Sequence, residues 1–182
     1  MTYYITKWTT AGIITGTGFT PDGTIPQGAV VCTEDQAKNA SQYVVDISTT
    51  PPTVVNAPST ILLAQAKSSQ IALLQSAFEK AEQSPVSVTL ASGVTTSFGM
   101  MPHDWTKIVG LYAKYVAKGD AVPSGYPLPD ANMVLRVVTA TDIDNLFEAG
   151  KTQIDGAVAK LASLIEAVNT ATTVSAIQAI VW

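Results

Sequence analysis

The chain predicts an α+β fold, with a small β-rich module ahead of a larger domain in which β-hairpins pack on about four helices. Three observations lead there. Residues 1–50 are dense in aromatic and β-branched residues, with turn signals between the runs. Two stretches, 59–82 and 141–168, carry apolar residues at helical spacing. Between them lie short alternating runs bounded by glycine and proline, as hairpins require.

In order, residues 3–8 and 12–19 read as strands with Ala11-Gly12 as the turn between them. Pro21-Asp22-Gly23 is a strong turn, because proline presets the bend and glycine accepts a positive φ. A third strand follows at 29–33. Thr33 precedes Glu34-Asp35 and suits the cap of a short helix to about Gln42, before a strand at 43–47. Gly16-Thr17-Gly18 has the look of a phosphate loop, but no Gly-Lys-Ser/Thr follows, and it reads as a β-turn. Residues 51–58 hold Pro51, Pro52 and Pro58 and no charge, which predicts a stiff linker and a boundary near residue 55. The module is then 1–50 and the larger domain 59–182.

A helix over 59–82 should stop before Pro85. Residues 86–90 and 94–98 alternate around Ala91-Ser92-Gly93, so Val86, Val88 and Leu90 share a face with Val94, Thr96 and Phe98. Pro102 opens a helix that Gly119 ends. Residues 133–138 read as a strand paired with 125–128. In the long helix, Phe147, Ile154, Leu161 and Val168 recur every seven residues, and Gly150, Ala157 and Leu164 form a second row. Thr141 is the expected cap, with Asp142 and Asp144 in the first turn. The small residues predict a close approach by another backbone, from this chain or from a second copy. A short helix over 173–181 closes the chain.

Only 13% of residues are charged, against about 25% in an average domain. The surface is therefore rich in Thr, Ser, Ala and Gln, which suits a protein largely covered by partners. With a net charge of −4 and no basic run, nucleic acid is not an expected partner. Cys32 is the lone cysteine, so no internal disulfide forms and no cysteine cluster holds a metal; it reads as a small core residue. Met1 to Trp8 lacks the apolar core of a signal peptide, and no run is long enough for membrane insertion.

No set of side chains predicts catalysis, a cofactor or a metal. His103, the lone histidine, reads as a surface residue at a helix start, with Asp104 not facing it. Asp142, Asp144 and Asp155 read as solvated or dipole-pairing groups. Asp130 and Asn132 flank a turn and bond its backbone. Among the aromatics, Trp105 reads as core and Trp182 as a plug after an amphipathic helix. Tyr3, Tyr4 and Trp8 are the contact candidates for a sugar, because alternation along a strand leaves one side exposed.

From about Ala57 onward the chain resembles the phage-tail family of unknown function DUF4376. The residues that carry this are Pro85-Val-Ser-Val-Thr-Leu-Ala-Ser-Gly-Val-Thr-Thr-Ser-Phe98, Ala121-Val-Pro-Ser-Gly-Tyr126, Thr139-Ala-Thr-Asp-Ile143 and Ala171-Thr-Thr-Val-Ser-Ala-Ile-Gln-Ala-Ile-Val-Trp182, in that order. Residues 1–50, opening on Tyr3-Tyr4-Ile5, loosely resemble the start of phage tail-fibre assembly proteins. The resemblance implies a non-enzymatic tail component of the fibre or baseplate region, in the virion or in host cytoplasm during assembly. Its partners would be other tail proteins, with self-association through the Phe147/Ile154/Leu161/Val168 helix as an option. A tail-fibre assembly chaperone and a carbohydrate-binding tail module are the alternatives.

Overall fold

A computed structural model describes all 182 residues. The fold is α+β, in two compact units: Met1–Ser68 with Thr172–Val174, and Ser69–Ala171 with Ser175–Trp182.

In the first unit, β1 (Thr2–Trp8) is the middle of an antiparallel sheet with β2 (Ile14–Thr20) and β3 (Val30–Cys32) on its two sides. Ile5, fully buried, anchors the sheet's core with Val30 and Val45. Gly16-Thr17-Gly18 is not a turn but part of β2. The reason lies across the strand: Gly18 pairs with Tyr4, and a Cβ on Gly18 would stand 2.6 Å from the Tyr4 ring. An aromatic ring thus covers the backbone that glycine leaves bare. Thr33 caps α1 (Glu34–Lys38) in a reciprocal capping box with Gln36, as its sequence predicts.

The expected linker at 51–58 is instead half of a hairpin. β4 (Tyr43–Asp46) pairs with β5 (Thr53–Asn56), Val44 opposite Val55 and Val45 opposite Val54. Pro51 and Pro52 sit in the connection, where a missing N–H costs no ladder bond, and the β-branched pairs that follow carry the strand. The division between units falls inside α2 (Ser59–Glu82), well past residue 55.

The second unit is built on β6 (Val86–Thr89), β7 (Thr95–Phe98), α3 (Pro102–Leu111), β8 (Pro127–Pro129), β9 (Leu135–Val137) and the 31-residue α4 (Ala140–Thr170), with α5 (Val174–Gln178) near the end. Val86, Val88, Phe98, Ile108, Ile143 and Leu146 are the heart of its core. The β6–β7 register places Val86 opposite Phe98 and Val88 opposite Thr96, the shared face the alternation predicts. Gly93 turns the hairpin at φ 82°, a backbone region that other residues enter only at a cost. After α3 the chain continues as a π-helical turn over Tyr112–Ala117, which carries Tyr112 onto α4 and buries Tyr115.

The cap of α4 is Thr139, not Thr141. Thr139 and Asp142 bond each other's backbone reciprocally, and Asp142 sits at the third position where such a box needs its acceptor. Asp142 is buried, not solvated, and also accepts the N–H of Ala91 at 2.6 Å, which ties the β6–β7 turn to the helix start.

Side chains of the same chain fill the seam of α4. Phe147 lies between Trp105 and Tyr112, with ring centroids 5.5 and 3.9 Å away. A Cβ on Gly150 would stand 2.5 Å from the Met100 methyl and 2.6 Å from the Trp105 ring, so side chains, not a second backbone, make the close approach. Val168 is fully buried and Ile154 packs on the core. Phe147, Ile154 and Val168 of this row are thus packed by side chains of their own chain, and Leu161 is half-buried.

Candidate interaction surface

The second hairpin of the larger unit is organised by a carboxylate. β8 and β9 pair with Pro127 opposite Val137, Leu128 opposite Arg136 and Pro129 opposite Leu135. Asp130 begins the turn; its side chain is fully buried. One oxygen accepts the N–H groups of Asn132 and Val134, both at 2.9 Å. The other accepts the Arg136 guanidinium and the Thr96 hydroxyl of β7, again both at 2.9 Å. The Ala131 N–H adds a 2.7 Å bond to the Ser97 carbonyl. Burial alone would push the Asp130 carboxyl up, but these donors outweigh it and hold it at about 2.

The ladder settles which backbone groups face outward. Val138 donates to the Tyr126 carbonyl and Asp130 to the Val134 carbonyl, so Leu128 and Arg136 form the bonded pair between them. The intervening pairs, Pro127 with Val137 and Pro129 with Leu135, then turn their backbone groups away from the partner strand. On β8 those outward positions are prolines, which have no N–H to offer, and this blunts the edge. On β9 they are Leu135 and Val137, whose outward donors and acceptors meet no partner strand. Their side chains are exposed as well, at 66% and 60%, beside Met133 at 79% and Val134 at 45%.

Met133 closes the turn at φ 63°, the single non-glycine residue of positive φ in the chain. That conformation costs a non-glycine side chain about 1 kcal/mol or more. A strained, exposed methionine thus lies beside a bare strand edge, within an apolar patch that includes Leu135 and Val137.

The residues singled out from sequence lie elsewhere. His103, 79% exposed at the start of α3, does meet Asp104, with Nε2 3.1 Å from a carboxylate oxygen; the first helical turn lets the neighbouring side chains fold toward each other. Cys32 is half-buried in β3 and burial pushes its thiol up. Asp155 pairs with Lys151 at 2.8 Å. Trp182 docks against Phe78, with the Lys160 ammonium 4.8 Å from its ring. Trp8 is half-buried and lines a cleft of about 520 Å³ with Gln36, Pro51, Pro52 and Thr53. No cluster of three or more His, Cys, Asp or Glu is placed to hold a metal ion, and no helix is long and apolar enough to cross a membrane.

No family model, curated protein or solved structure matches this chain. The β9 surface itself escaped the sequence reading. Its one local signal is Pro127 and Pro129 at alternate positions on one strand, set against a run of five apolar side chains around Arg136 on the next.

Proposed function

We propose that the chain is a non-enzymatic structural protein of a phage tail, of the fibre or baseplate region, acting through protein–protein contacts. The observation that carries this reading is the outer edge of β9, where bare backbone groups and exposed Met133, Leu135 and Val137 coincide. Such an edge is a template for a further strand. The low charge and the resemblance of residues 57–182 to DUF4376 give the setting. Mass spectrometry of purified virions tests it: a fixed copy number in the particle is expected, and absence from the particle overturns it. The assembly-chaperone alternative predicts the opposite pattern, with soluble fibre only on co-expression and no copies in mature particles.

A second reading has its own observation. The cleft at Trp8 carries no charged side chain; an indole, an amide and a hydroxyl line it, and its volume lies within the roughly 300–1,000 Å³ of small-ligand sites. This suits a neutral saccharide stacked on Trp8. Binding on a glycan array that Trp8→Ala abolishes supports it, and an array on which the intact chain binds nothing retires it.

A further inference from the structure

We infer that the occupant of the β9 edge is β9 of a second copy, the two strands running antiparallel about a two-fold axis at Arg136. The inference rests on the reading of the chain as one that acts through protein contacts, and names the partner.

The backbone makes this edge self-complementary. Leu135 and Val137 both turn N–H and C=O outward. In an antiparallel pair centred on Arg136, Leu135 of one copy stands opposite Val137 of the other, and the reverse. Each such pair exchanges two bonds, so every outward group of the two residues finds a partner and none is left over. An isologous contact of this kind closes on itself and leads to a dimer, not a fibre. The apolar side chains of Leu135 and Val137, which alternate onto one face, then meet across the strands.

Charge does not oppose a second copy, and the self-complementary ladder selects it. Arg136 is the one charged residue of the strand, and on the axis it would oppose its own equivalent. Its guanidinium is bonded to Asp130 of its own chain, so each copy brings a neutral pair to the axis. A partner chosen by charge would find nothing to read there. The blunting of β8 by Pro127 and Pro129 leaves β9 as the hairpin's one bondable edge, which also limits growth beyond two copies.

The exposed side chains of residues 133–137 offer on the order of 400 Å² of apolar surface per copy, below the roughly 600 Å² per partner at which stable specific interfaces begin. The dimer is accordingly weak, with a dissociation constant in the micromolar to millimolar range.

Sedimentation of the full chain from micromolar to about 1 mM is the test. A reversible monomer–dimer equilibrium is expected, and the amides of Leu135 and Val137 should exchange more slowly, by about twofold or more, in the concentrated sample, in step with the dimer fraction. Leu135→Pro removes an outward donor and no ladder bond, copying what Pro129 does on β8, and should leave a monomer with an unchanged far-ultraviolet spectrum. Val137→Lys places like charges across the axis and should do the same where the proline variant folds poorly. A chain that stays monomeric to about 1 mM overturns the inference, as does a dimer that survives both substitutions. The virion assay separates the two claims. A monomeric chain found in the particle overturns the self-pairing alone, whereas a dimer missing from the particle overturns the tail assignment alone.

Discussion

The two hairpins of the larger unit solve the same problem in different ways. A two-stranded ribbon is marginal in water and needs something to lean on. β6–β7 leans on the core: Val86 and Val88 are buried, while Ser87 and Thr89 face out. β8–β9 buries Leu128 but leaves Leu135 and Val137 in solvent, and the Asp130 carboxylate holds it to β7 instead. Where apolar burial holds a hairpin, its hydrophobic face is used up by folding. Where a polar centre holds it, that face stays free for a partner.

The largest expected effect tests the first half of this contrast. Phe98→Ala empties a site that is only 2% exposed and should destabilise the larger unit by about 3–5 kcal/mol in denaturant unfolding, as one cooperative transition of that unit. A loss confined to the β6–β7 amides would break the comparison.

Asp130→Asn tests the second half. It turns an acceptor of four bonds into a group whose own amide hydrogens meet donors. We expect Tm to fall by roughly 5 °C, with faster exchange in residues 130–138 and β6–β7 still protected. The pH dependence follows in sign. The carboxyl lies at about 2, below its ordinary 3.8, so folding favours the ionised form. Its contribution is full above about pH 4 and is lost as pH falls toward 2; the Asn variant should lack that acid limb.

Asp142→Ala is the next smaller. It removes the acceptor for Thr139 and for the Ala91 N–H, and should cost about 1 kcal/mol. Exchange should rise at Ala91 and the start of α4, not at Asp130. Acceleration of both hairpins together would show that they do not stand apart.

These residues also mark what was legible in the sequence. Periodicity placed nearly every element of the larger unit, because the apolar faces of α2, α4 and β6–β7 are written locally. The roles of polar residues were not, since they depend on partners remote in the chain. Asp142 finds Ala91 51 residues away. Gln153 donates its amide to the carbonyls of Ala81, Glu82 and Ser84 and so closes the end of α2 from about 70 residues off. Both are short polar side chains on a helix, and no local pattern separates them from solvated ones. The prolines at 51 and 52 misled for a related reason. Proline removes a donor, but whether that breaks a strand or suits a hairpin turn depends on which side of the ladder the donor would have faced.

The smallest effect sharpens the comparison most, because folding and association should move in opposite directions. Met133 holds φ 63° with its side chain 79% exposed, so it gains nothing by burial within the chain while bearing the strain of that conformation. Glycine takes the same backbone without strain, at some cost in unfolded-state entropy, and the balance favours Met133→Gly by about 0.5–1 kcal/mol in thermal unfolding. The same change deletes one apolar side chain from the β9 patch and should weaken self-association severalfold. If Met133 served the fold, stability would fall instead. A variant that is more stable alone and less able to pair is what a free, apolar hairpin edge requires.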